Sequence, residues 1–98
     1  MLGRYCNPDV GISDYGGLML EGRFDYEGGS SQGVGYHIDG PFLKGFLKAF
    51  GVKRLAQVNK KAAYVTACLS MIHKIEPIFG EGTEFDIDAW ALAAQKKG

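Results

Sequence analysis

A chain of 98 residues can hold one hydrophobic core but is too short for a two-domain enzyme with an interdomain cleft. Apolar residues make up 46% and charged residues 22%, which excludes a disordered chain, and no apolar run approaches the length of a membrane span. Eleven basic against eleven acidic side chains give a formal net charge of zero, which argues against a partner such as duplex nucleic acid that selects a strongly basic surface.

The two halves differ little: residues 1–50 carry four basic and six acidic side chains, residues 51–98 seven and five. The opening MLGRYCNPDV lacks the basic-then-apolar layout of a secretory signal, and Cys6 and Cys68 do not make a disulfide framework. The expectation is one soluble, cytoplasmic α+β domain over residues 1–98 with free thiols.

In chain order, Leu2 to Cys6 reads as a strand, and Asn7-Pro8-Asp9 with Gly11, then Asp14-Tyr15-Gly16-Gly17, supply turn chemistry that brings it back beside the next segment. From Gly17 to Tyr26 the chain alternates. Leu18, Leu20, Gly22, Phe24 and Tyr26 share one face, and Met19, Glu21, Arg23 and Asp25 the other, as in a half-buried strand. Val34, Tyr36 and Ile38 alternate with Gly35, His37 and Asp39, giving an antiparallel partner across the glycine-rich stretch between them.

A helix is marked at both ends over Pro41 to Phe50: Asp39 or Gly40 caps it, Pro41 opens it and Gly51 follows it. Phe42, Leu43, Phe46, Leu47, Ala49 and Phe50 share one arc, with Lys44 and Lys48 opposite. Lys53 to Val58 reads as a short helical turn, Asn59-Lys60-Lys61 as a bend, and Ala62 to Leu69 and Met71 to Ile78 as two more strands, Pro77 lying at an end or on an edge. The break Phe79–Thr83 precedes a last helix capped by Asp86, with Asp88 in its first turn, Lys96 and Lys97 at its end, and a stripe of Ile87, Trp90, Ala91 and Ala94 onto which Phe85 staples. The sum is an antiparallel sheet of four or five strands with two helices.

The glycine-rich stretch Gly28 to Gly35 lacks the Lys-Ser/Thr ending of a P-loop, and it does not open a helix as a dinucleotide fingerprint must. Two readings stay open for it. One is a long hairpin connection. The other is a binding loop made of Tyr26, Gly28, Gly29, Ser30, Ser31, Gln32, Gly33, Tyr36 and His37, whose backbone N–H groups could hold an anion.

Cys6, His37, Cys68 and His73 lack zinc-site spacing, so no metal or other cofactor is expected. His37 reads as an exposed strand residue, Cys68 as core filling, and His73 with Lys74 as an edge position. Neither Ser13-Asp14 nor Ser70 with His73 comes with a nucleophile elbow, so no catalytic residue is assigned and no enzyme is expected.

The runs D-x-G-x-L at Asp14, Gly16 and Leu18 and D-Y-x-G-G-S-x-Q-G-x-G from Asp25 to Gly35 resemble a set of short, mostly uncharacterised proteins of bacteriophages and prophages. The likeness extends through the helix ending at Gly51-Val52 to the following strand, over residues 14 to 66. It implies a protein that binds a host protein, in the manner of inhibitors of CRISPR and other bacterial defences. The alternative is a homo-oligomeric sponge or carrier holding a nucleotide-like small molecule on the glycine-rich loop. A third reading is a nucleic-acid accessory using Lys53, Arg54, Lys60 and Lys61 as a local basic patch.

Overall fold

The protein is described here by a computed structural model covering residues 1–68, 71–78 and 82–97. Among the described residues, six antiparallel strands form one sheet: β1 (Leu2–Ile12), β2 (Leu18–Tyr26), β3 (Ser31–Ile38), β4 (Lys61–Cys68), β5 (Met71–Glu76) and β6 (Phe85–Asp86). Their spatial order is β3-β2-β1-β4-β5-β6. The helices are α1 (Gly40–Ala49) and α2 (Ile87–Lys97), with a 3₁₀ turn at Leu55–Val58. The class is α+β, as the residue pattern implies, with six strands where four or five were expected. Leu69 at the end of the expected fourth strand, Ser70, the 79–81 part of the expected break, and the Lys96 and Lys97 side chains lie outside the described residues.

The extra strand is Phe85–Asp86, which pairs with Lys74 and Ile75 before Asp86 caps α2 by accepting the Ala89 N–H at 3.0 Å. Two residues are too few for an alternation to be visible in sequence. The second correction concerns Asn7-Pro8-Asp9, which is not a turn. β1 runs straight through it with a register shift between Cys6 and Asp9, and Asn7 takes φ 56°. A bulge and a turn draw on the same residues, because each needs an occasional positive φ and tolerates a missing N–H.

The alternation expected for β2 holds on its inner face, where Leu20, Phe24 and Tyr26 are buried beside Tyr5 of β1, Val34 and Ile38 of β3, and Ala63 and Val65 of β4. α1 covers this face. The Asp39 carboxylate accepts from the Phe42 N–H at 2.8 Å and starts the helix. Phe42, Phe46 and Ala49 point into the core, and Gly51 just beyond takes φ 69°. Phe46 meets Tyr5 edge-on at 5.1 Å between ring centres. Each fully buried phenylalanine contributes roughly 1.5–3 kcal/mol before ordering entropy is subtracted.

The sheet curls enough for the Tyr36 side chain of β3 to reach across to β5, its hydroxyl accepting the Ile72 N–H at 3.2 Å. α2 packs against β5. Its first turn is tied to β5 by Asp88 and His73, 2.9 Å apart, and Trp90 lies edge-on to Phe42 at 4.7 Å. Phe85 is buried and Trp90 half-buried; both pack on Phe42, which lies against the two residues of the expected staple. The expected stripe on α2 holds for Ile87, Trp90 and Ala91, while Ala94 is exposed. No helix among the described residues is long and apolar enough to cross a membrane.

Candidate functional site

The glycine-rich stretch is shorter as a loop than its composition implies. Only the four residues Glu27 to Ser30 lie between β2 and β3. The Tyr26 N–H bonds the Ser30 carbonyl at 2.8 Å, and the Gly29 N–H bonds the Tyr26 carbonyl at 3.2 Å. Gly28 and Gly29 take φ 92° and 94°, angles at which any side chain is strained. Ser31, Gln32, Gly33 and Gly35 are strand residues, in an unbroken register from Asp25↔Ser31 to Leu18↔Ile38. The expectation of a long connection is therefore corrected: glycine reads as loop, yet Gly33 and Gly35 sit in regular ladder.

Being strand residues, the candidate positions divide between two faces and two ends. Ser31, Gly33, Gly35 and His37 are exposed on the outer face, while Gln32 and Tyr36 are half-buried on the inner one. Tyr26, Ser30, Ser31 and Gln32 come together with Met1 and Ala67 around a cleft of about 270 Å³ at the hairpin end. There the Tyr26 hydroxyl donates to Gln32 Oε1 at 2.7 Å. Burial, with Tyr36 adding to it, pushes the Tyr26 phenol above its ordinary range. Gln32 Nε2 has no hydrogen-bond partner although it is shut off from solvent, the one such side-chain atom among the described residues.

His37 lies at the other end of β3, about 20 Å away by strand rise. It shares a second shallow cleft, of about 320 Å³, with Ile12, Ser13, Asp14, Tyr15, Met19 and Glu21. The structure thus splits the single expected loop site. Tyr36 joins neither cleft, since its ring packs on Phe42 at 5.8 Å.

This second end holds the residues that sequence reasoning passed over. Tyr15 is 94% exposed, Ile12 70% and Leu18 42%. They are not on a loose loop. Ile12 pairs with Leu18 across the ladder, the Ser13 N–H bonds the Gly17 carbonyl at 2.8 Å, and the Gly16 N–H bonds the Ser13 carbonyl at 2.9 Å. The Ser13 hydroxyl adds a bond from the Gly17 N–H at 3.2 Å. A signal was present in the sequence, a tyrosine inside Asp14-Tyr15-Gly16-Gly17 where turn chemistry guarantees exposure.

Between the two ends, the outer face carries Arg23 and Asp25 paired at 2.7 Å, with the Cys6 thiol 3.4 Å from the same carboxylate. The hydrogen bond from Arg23 holds the Asp25 carboxyl below its ordinary range. Cys68 is exposed, not core filling, because it falls on the outer side of β4. Comparison with protein-family models, with curated proteins and with solved structures finds no match.

Proposed function

We propose that this chain is a small binding protein that works by protein–protein contact, with the β1–β2 turn as its anchor. The observation that carries the reading is the exposure of Tyr15, Ile12 and Leu18 on a turn held by its own hydrogen bonds. Large apolar side chains left in water lose the stabilisation that burial would give, and a rigid turn presents them without an ordering cost on binding. His37 and Met19 flank the anchor on the same cleft. Following the phage-type resemblance, the target is a host protein, such as a component of a bacterial defence system, and the effect is to block it.

The test is a pull-down from bacterial lysate with the parent chain, an Ile12→Ser/Tyr15→Ser variant, and a Ser30→Ala/Ser31→Ala/Gln32→Ala variant. The parent should retain a protein in stoichiometric amount, the turn variant should lose it with an unchanged circular dichroism spectrum, and the hairpin variant should keep it. Retention by the turn variant moves the contact elsewhere. Loss by the hairpin variant alone returns it to the glycine-rich end.

One observation favours a second reading, a carrier of a small nucleotide-like molecule: the unpartnered Gln32 Nε2 beside the hairpin cleft has a donor to offer an oxygen acceptor. Native mass spectrometry of the protein purified from cells decides it. A retained mass that disappears in Gln32→Ala supports the carrier, and a bare chain removes it.

A further inference from the structure

Among the described residues β3, eight residues long, is an edge strand paired with β2 on one side only. The Tyr26–Ser30 bond sets the phase of its ladder. Alternation then turns the N–H and C=O groups of Gln32, Val34, Tyr36 and Ile38 toward β2, and those of Ser31, Gly33, Gly35 and His37 toward the open edge. Edges of this length are ordinarily blunted by lysine, proline, a bulge or a covering element. β3 has no lysine or proline and its register with β2 is unbroken.

The glycines on this edge are not demanded by the fold. Neither Gly33 nor Gly35 takes a positive φ, and a Cβ built at either position meets nothing within 4 Å. Glycine inside a strand weakens it, and where the strand's own geometry does not ask for one it suits the close approach of another backbone.

We propose that the open edge of β3 pairs with the same edge of a second copy, antiparallel and centred on Val34. The centring follows from the sequence Ser31-Gln32-Gly33-Val34-Gly35-Tyr36-His37, which is self-complementary about its middle. Gly33 falls opposite Gly35 of the second copy, so the two backbones meet with no side chain between them on the outer face. The Ser31 hydroxyl falls opposite the His37 imidazole, a donor facing an acceptor, and Gln32 falls opposite Tyr36. No side chain from Gly28 to Ile38 is formally charged with histidine neutral, so two copies meet without repulsion. The other end of the sheet, β6, has only two residues and offers no comparable edge. The product is one continuous sheet of twelve strands, with the two β1–β2 turns at opposite ends of the shared ladder and free for their own contacts.

Sedimentation velocity of the full chain over a concentration series tests this against Gly33→Lys/Gly35→Lys, which adds charge where the structure leaves open space. The parent should sediment as a dimer and the variant as a monomer with the same circular dichroism spectrum. A parent that stays monomeric at every concentration, or a folded variant that still dimerises, overturns the proposal. Should the variant fail to fold, amide exchange of the parent decides. Protection at Ser31, Gly33, Gly35 and His37 that rises with concentration upholds the pairing, and fast exchange there at all concentrations refutes it.

Discussion

Tyr5 sits at the centre of the molecule, fully buried, with its hydroxyl donating to the Glu21 carbonyl at 2.8 Å and its ring edge-on to Phe24 at 5.0 Å. Burial pushes its phenol well above the ordinary value of 10.0, with smaller contributions from Tyr36 and Glu21. The sign of the consequence follows from proton counting. Below about pH 10 both folded and unfolded chains hold the phenolic proton, and the stabilisation is fully present. Above it the unfolded chain releases the proton while the folded one keeps it, so stability should fall by about 1.4 kcal/mol per pH unit from this group. Urea titrations between neutral pH and pH 11 should show that decline in the parent and a shallower one in Tyr5→Phe. The variant should also be weaker at neutral pH by about 1 kcal/mol for the lost hydrogen bond. An equal slope in both would place the alkaline sensitivity elsewhere.

Among the elements, α1 has the most to lose from a single change. Phe46 touches the rings of Tyr5, Phe42 and Phe50, so its truncation opens a cavity bounded by side chains from β1 and from both neighbouring helical turns. Phe46→Ala should cost about 3–5 kcal/mol, read as a lower midpoint in thermal unfolding; an unchanged midpoint would place the helix on the surface. The start of this helix is coupled to α2, because the Asp39 carboxylate that accepts from Phe42 also accepts the Trp90 indole N–H at 2.9 Å. One residue therefore orients both helices. The helix was legible from sequence because its signals are local: Asp39, Pro41 and Gly51 bracket it, and the six apolar positions sit on one arc. The strand edges were legible for the opposite faces of β2, whose period of two survives across Leu20 to Tyr26.

At the scale of the whole molecule, sequence fell short wherever a residue's role depends on something distant in the chain. Gly22 reads as one more strand residue, yet it takes φ 155° and a Cβ there would overlap the Tyr5 hydroxyl, a constraint set 17 positions away in sequence. Gly33 and Gly35 read as loop because glycine is common in loops, and only their ladder partners Arg23 and Glu21 reveal a strand. The candidate site suffered from the same blindness. Tyr26, Ser30, Ser31 and Gln32 do gather at one end, but His37 belongs with Ile12 and Tyr15, since alternation and strand length disperse neighbours in sequence over two faces and about 20 Å. Exposure of Ile12 and Leu18 could not be read from an apolar face that continues into Leu20 and Phe24.

The central position of β1 also has a meaning in time. Its pairing with β2 closes over short range, as at Ile12↔Leu18, whereas its pairing with β4 joins Leu2 to Tyr64. At roughly 5–20 residues per second on the ribosome, β4 emerges about 3–12 seconds after β1, while hairpins form in roughly 1–10 μs. The nascent β1–β2–β3 meander thus has seconds in which to form while the far side of β1 waits open. Pulse-labelled amide exchange during refolding should protect β2 and β3 before Ala63 and Val65, and simultaneous protection would contradict that order. Through that interval the half-built sheet has two open edges, and the one that its own chain will later fill is the hazard a young molecule must outlast.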